Sequence, residues 1–163
     1  MFYLTTNNMD SNHKSPYITS TGEGLRIVIP RDITTIEEFE FLGIDVETFI
    51  LPEDITLIGR GAFMGSRIKN IVLPDSLSEI AEDAFSACLN LKKVYLPSKL
   101  QVIGARAFMG CDNLESVEIS SPLQIIGDEA FAFCRKLKNV TMPENIKKMG
   151  KNVFHSCPLN LKP

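Results

Sequence analysis

The chain has 163 residues, 44% of them apolar and 23% charged, with a net charge of −3. That length suits a single domain with a real core, and the small negative charge gives no general pull toward nucleic acid. No apolar run approaches the roughly 18 residues of a membrane-spanning helix. The start, MFYLTTNNMDSNHK, lacks the basic-then-apolar order of a signal peptide, which points to the cytoplasm.

Residues 1–24 stand apart from the rest of the chain. Short apolar patches (Phe2, Tyr3 and Leu4, then Tyr17 and Ile18) flank a polar stretch from Thr5 to Ser15. The segment is expected to be an N-terminal cap or a partly disordered piece, because terminal units of a repeat array must hide an open core face and look atypical.

From residue 25 to 163 one phrase recurs about every 23 residues, most cleanly as VYLPSKLQVIGARAFMGC at Val94–Cys111. Strand-start positions are Ile27, Phe49, Ile71, Val94, Val117 and Val140. Three residues later stand Pro30, Pro52, Pro74, Pro97, Ser120 and Pro143. Inward apolar positions follow at Ile33, Ile55, Leu77, Leu100, Leu123 and Ile146, then at Ile36, Ile58, Ile80, Ile103, Ile126 and Met149. The aromatic position is Phe in all six coils: Phe41, Phe63, Phe85, Phe108, Phe131 and Phe154.

Each coil has a physical logic. Alternation in VYLP places Val94 and Leu96 on one face of a short strand and Lys93 and Tyr95 on the other. Pro97 has no N–H to give to a ladder and ends the strand. Ile103, Ala107, Phe108 and Cys111 follow i, i+4, i+5, i+8, a spacing that predicts a short helical turn with one buried side. Gly59, Gly104, Gly127 and Gly150 are expected where the chain turns tightly. Stacked at about 4.8 Å per coil, six coils make a rod of roughly 30 Å. The predicted fold class is thus an α/β repeat solenoid, with a parallel sheet on one side and short helices or turns on the other.

The repeated VxLPxxLxxIGxxAFxxC resembles the BspA-like class of leucine-rich repeats, closely over residues 71–157 and more loosely over 27–70. Ordinary leucine-rich repeats carry Asn after the strand, where this chain carries Pro. The resemblance implies a right-handed superhelix with the sheet on its concave face and the helices or turns on its convex face. It also implies a bacterial or protist surface or secreted protein with a role in adhesion and a host protein among its partners. It brings no catalytic residues and no cofactor.

Four cysteines, Cys88, Cys111, Cys134 and Cys157, occupy one position in successive coils. A ladder spanning about 14 Å at strand spacing cannot converge on one zinc ion. A bridge between neighbouring coils is compatible with the spacing. The equivalent positions hold Ser66 and Ile44, however, so the thiols are read as small core side chains. Of the two histidines, His13 lies in the irregular segment and His155 follows Phe154, neither with a nucleophile at a motif spacing. The recurring glycines lack the GxxxxGK[ST] of a phosphate loop, and the NVT at Asn139 is a short match inside a strand. An enzyme is not expected, nor a catalytic site, a metal site or a cofactor.

The outward strand positions form two columns. One runs Arg26, Thr48, Asn70, Lys93, Ser116, Asn139, and the other Val28, Ile50, Val72, Tyr95, Glu118, Thr141. The first four members of the second column are apolar. Strand propensity explains that. A recognition stripe explains it too. The residues expected to bind protein are Thr48, Ile50, Asn70, Val72, Lys93, Tyr95 and Glu118. Charge is also distributed unevenly: eight acidic and no basic residues from Asp32 to Asp54, and seven basic residues against Glu144 from Arg135 to the end. The main reading is a non-catalytic protein-binding module, its ligand surface on the concave sheet. The alternative is a structural or self-assembling unit, a segment of an adhesin-type surface protein, joined weakly head to tail through its oppositely charged ends.

Overall fold

The computed structural model describes residues 18–21, 24–27, 29–119 and 122–160. A hairpin comes first, β1 (Ile18–Thr21) running antiparallel to β2 (Gly24–Ile27). Each later coil then lays down two short strands. In chain order these are β3 (Thr35–Ile36), β4 (Thr48–Ile50), β5 (Leu57–Ile58), β6 (Asn70–Val72), β7 (Glu79–Ile80) and β8 (Lys93–Tyr95). They continue as β9 (Val102–Ile103), β10 (Ser116–Glu118), β11 (Ile125–Ile126), β12 (Asn139–Thr141) and β13 (Lys148–Met149).

The strands stack into two parallel sheets. One has five strands in the order β12-β10-β8-β6-β4, and the other has six in the order β13-β11-β9-β7-β5-β3. The molecule is therefore a parallel β-solenoid with two sheets per coil. The register is the one the repeat demands: Phe49 lies beside Ile71, Val94 beside Val117, and Val117 beside Val140. The first coil differs. Ile27 pairs with Ile18 in the hairpin, and the five-stranded sheet ends at β4. The strand-start position predicted at Ile27 is thus used by an antiparallel partner. Residues 1–17 of the expected cap, Val28 and Ser120 lie outside the described residues.

The helical turn predicted from Ile103, Ala107, Phe108 and Cys111 is not a helix, and no helix occurs among the described residues. Three overlapping turns take its place. Ala107, Met109 and Cys111 donate their N–H groups to the carbonyls of Gly104, Arg106 and Phe108. The N–H groups between them, of Arg106, Phe108 and Gly110, instead cross to the next coil, to the carbonyls of Asp128, Ala130 and Ala132, each at 2.8 Å. An α-helix would need every N–H to reach back four residues. Here alternate donors are committed to a neighbouring coil, and the left-handed residues Arg106 (φ 54) and Gly110 (φ 70) break any helical run. The α part of the predicted α/β class is accordingly absent, and turns hydrogen-bonded from coil to coil fill that side.

The role expected of the recurring glycines also changes. Gly59, Gly104, Gly127 and Gly150 do not have a positive φ; a Cβ on any of them would lie 2.3–2.6 Å from the backbone of the preceding coil. Close approach of coils selects glycine there. Tight turning selects it elsewhere, as at Gly43 and Gly65, where φ is 66° and 68°.

Phenylalanine forms the spine of the core. Phe63, Phe85, Phe108 and Phe131 are stacked with centroids 5.1–5.2 Å apart and planes within 8° of parallel. Ile58, Ile80, Ile103 and Ile126 are fully buried alongside. The cysteine column belongs to the same core. Cys88, Cys111 and Cys134 have no exposed surface, and all four thiols are free. Each Sγ donates to the Phe carbonyl of the coil before it: Cys88 to Phe63 (3.1 Å), Cys111 to Phe85 (3.2 Å), Cys134 to Phe108 (3.2 Å) and Cys157 to Phe131 (3.0 Å). Ser66 fills the place one coil earlier, its Oγ 3.2 Å from the Cys88 Sγ. Position and chemistry agree: a small side chain with one weak donor satisfies a buried carbonyl.

Candidate functional site

The outward face of the five-stranded sheet carries the two predicted columns. Strand pairing aligns Thr48 with Asn70, Asn70 with Lys93, and Lys93 with Ser116, and it places Ile50 beside Val72 and Tyr95 beside Glu118. Thr48 and Ile50 are half-buried, whereas Asn70, Lys93 and Glu118 are exposed. Val72 is 53% and Tyr95 67% exposed, unusually open for large apolar side chains. Val28, the expected first member of the apolar column, lies outside the described residues, and Arg26 belongs to β2 of the hairpin.

Beside this column the surface sinks into a shallow depression of about 590 Å³. Its apolar floor is Ile50, Leu51, Val72, Leu73 and Pro74, and its polar wall is Glu53, Asp75, Ser76 and Lys99. Sequence reasoning found Ile50 and Val72 but missed the wall. Those residues follow the strand, around Pro52, Pro74 and Pro97, where alternation no longer says which way a side chain points. The one available signal is that these polar residues follow the recurring prolines, Glu53 and Asp75 directly and Lys99 two residues on. Ser76 is held in place by donating to the carbonyls of Glu53 and of Ile55, the latter at 2.6 Å.

The thiols offer little chemistry. Burial pushes the Cys111 thiol well above its ordinary range. The Cys134 thiol is raised first by its hydrogen bond with Cys157 and then by burial. His155 is exposed and sits edge-on to Phe133, ring centroids 5.3 Å apart. Among the described residues, no helix is long and apolar enough to cross a membrane.

Five ion pairs among the described residues run from coil to coil, each with the acid on the earlier coil and the base on the later one. Asp45 meets Arg67 at 3.2 Å, Glu47 meets Lys69 at 2.5 Å, and Asp112 meets Arg135 at 3.8 Å. The most buried of them joins Arg106 to Asp83 at 2.9 Å and also to Glu82, and these two carboxylates raise the guanidinium's affinity for its proton.

Comparison with known proteins places this architecture. The sequence profile of the BspA type leucine rich repeat region matches residues 34–161 in six copies. No curated protein sequence matches. Among solved structures, the pneumococcal vaccine antigen PcpA is 26% identical with a TM-score of 0.71, over 93% of this chain and 41% of that one. The T. pallidum leucine-rich repeat protein is 27% identical with a TM-score of 0.56, over 86% of this chain and 74% of that one. A leucine-rich cell surface protein of Faecalibacterium prausnitzii A2-165 is similar in fold, with 24% identity and a TM-score of 0.64, over 78% of this chain and 40% of that one. The chain thus spans about two fifths of the length of PcpA and of the F. prausnitzii protein. With the six-fold repeat, the two stacked sheets and the profile match in agreement, the chain belongs to the BspA-type leucine-rich repeat family.

Proposed function

We propose that the chain is a non-catalytic protein-binding module whose ligand surface is the outward face of the five-stranded sheet. The observation that carries this reading is the open apolar column. Val72 and Tyr95 are more than half exposed on adjacent strands, with Ile50 beside Val72, in a surface otherwise built of Thr48, Asn70, Lys93 and Glu118. Strand propensity alone would be satisfied by threonine there, as it is at Thr141. An exposed apolar group rimmed by polar side chains is the usual anatomy of an interface centre, and tyrosine is enriched at such centres. The depression beside Val72 gives a partner's side chain somewhere to go.

The test is capture on immobilised chain followed by mass spectrometry, with a Val72→Ser/Tyr95→Ser double variant as comparison. The variant should melt at the same temperature, since neither side chain is in the core, and should lose the captured partner. Retention of the same partner by the folded variant would refute the assignment.

A further inference from the structure

The turns that follow the strands of the five-stranded sheet break the charge pattern kept elsewhere. Asp45, Glu47 and Asp112 each meet a base at the corresponding place of the next coil, at Arg67, Lys69 and Arg135. Glu53, directly after Pro52, corresponds instead to Asp75, directly after Pro74, and Asp75 in turn corresponds to Ser98. Neighbouring coils are about 4.8 Å apart, so two exposed acidic residues stand side by side. Neither has an ion-pair partner among the described residues. Like charges at that spacing repel, and a cation from outside relieves the repulsion.

Apolar surface adjoins the pair. The depression of about 590 Å³ has Ile50, Val72 and Pro74 in its floor and Glu53 and Asp75 in its wall. A smaller one of about 180 Å³ opens on the other side of Glu53, lined also by Arg31 and Asp54. Ser76 donates its hydroxyl hydrogen to the backbone carbonyls of Glu53 and Ile55 and so has only oxygen lone pairs to offer a ligand.

These features select one chemistry. An apolar side chain in the depression would leave the carboxylates unrelieved, and an acidic one would add a third like charge. Arginine and lysine carry an alkyl stem that covers apolar surface and a cationic head that carboxylates hold. Lys99 lines the same depression, and Arg31 lies across Glu53. These two cations flank the acidic pair and disfavour a run of basic residues, leaving room for one.

We propose that the depression beside Val72 is a subsite for a single basic side chain of the protein partner, its stem on Ile50, Val72 and Pro74 and its head between Glu53 and Asp75. The assignment rests on the sheet face being the ligand surface and adds the chemistry of what that surface reads.

The probe is a displayed library of short random peptides, selected on the immobilised whole chain. Enriched peptides are then synthesised and titrated by fluorescence anisotropy. They should share one Arg or Lys beside apolar residues. Replacing that Arg by citrulline, or that Lys by norleucine, removes the charge with little change of shape and should weaken binding by about threefold to tenfold. Glu53→Gln/Asp75→Asn should weaken it equally, and the two changes together should cost no more than either alone, since both remove one interaction. Glu53→Lys/Asp75→Lys should turn the selection toward acidic peptides. Both variants should melt with the unaltered chain, because the side chains they change are exposed. Enriched peptides without a basic residue, unchanged binding after neutralisation on either side, additive losses, or affinity that climbs with each further basic residue would overturn the subsite. In any of those cases the Val72→Ser/Tyr95→Ser variant separates the two claims. If it loses the enriched peptides, the sheet face stands and the subsite alone falls; if it binds them undiminished, both fall. A selection that enriches nothing overturns the subsite and leaves the sheet face to the capture experiment.

Discussion

Replacing Phe108 with alanine should cost about twice as much stability as replacing Phe154, although both occupy the same repeat position. Phe108 has no exposed surface and stacks on both sides, on Phe85 at 5.2 Å and on Phe131 at 5.1 Å. Full burial of a phenylalanine is worth about 2–3 kcal/mol, and each aromatic pair adds about 1 kcal/mol. The sum, about 4–5 kcal/mol, sits at the upper end of the roughly 3–5 kcal/mol known for Phe→Ala in cores. Phe154 is half-buried and, among the described residues, stacks on Phe131 alone, at 5.5 Å. Half the burial and one pair give about 2 kcal/mol. Urea unfolding followed by far-UV circular dichroism measures the difference. With a slope of about 2 kcal/mol per M, the midpoint should fall by about 2 M for Phe108→Ala and about 1 M for Phe154→Ala. Equal shifts, or a larger one for Phe154, would refute the view that stability is the sum of contacts between neighbouring coils.

Other consequences rest on the same contacts. Cys157, the half-buried thiol, should react with a thiol reagent in the native protein well before Cys88, Cys111 and Cys134, which should wait for denaturant. Cys111→Ser should be mild, at about 1 kcal/mol, because the hydroxyl can take over the bond to the Phe85 carbonyl; Cys111→Leu should be far worse from overpacking. Alkaline stability carries a sign that can be checked. Cys111 and Cys134 are held protonated in the fold, above the ordinary thiol value of 9.0, so their contribution is complete below that pH and is lost as pH rises beyond it. A Cys111→Ser/Cys134→Ser variant, compared by urea unfolding across pH, should show a flatter decline. Gly127→Ala puts a Cβ 2.3 Å from the Ala105 backbone nitrogen. Ala81 fills the corresponding place one coil after Gly59, so the coils can part slightly, and a loss of about 1–3 kcal/mol in urea unfolding is expected. Arg106→Gln removes the contacts to Asp83 and Glu82 and should cost about 1 kcal/mol at low salt and less at about 1 M, since the pair is partly exposed.

The repeat was legible because stacking converts sequence distance into spatial contact. Residues 22 or 23 apart lie side by side, so a column in the sequence is a column in the molecule: Phe63 above Phe85, Cys88 beside Ser66, Asn70 beside Lys93. Both candidate columns therefore came out in the right register from β4 to β12. The second sheet did not come out, because its strands are two residues long and too short for alternation to register. The wall of Glu53, Asp75 and Lys99 was missed for a similar reason, lying past the strand ends.

What the amino-acid sequence determined by itself was the period, the buried columns and their register, and with these the family. These depend on composition at fixed spacing, which one chain states six times over. What only the tertiary structure decided was how the backbone spends its hydrogen bonds. The spacing of Ile103, Ala107, Phe108 and Cys111 suits a helix and a run of turns equally well. The choice fell to Arg106, Phe108 and Gly110, whose N–H groups find acceptors on the next coil, and no local pattern records that a neighbour stands there.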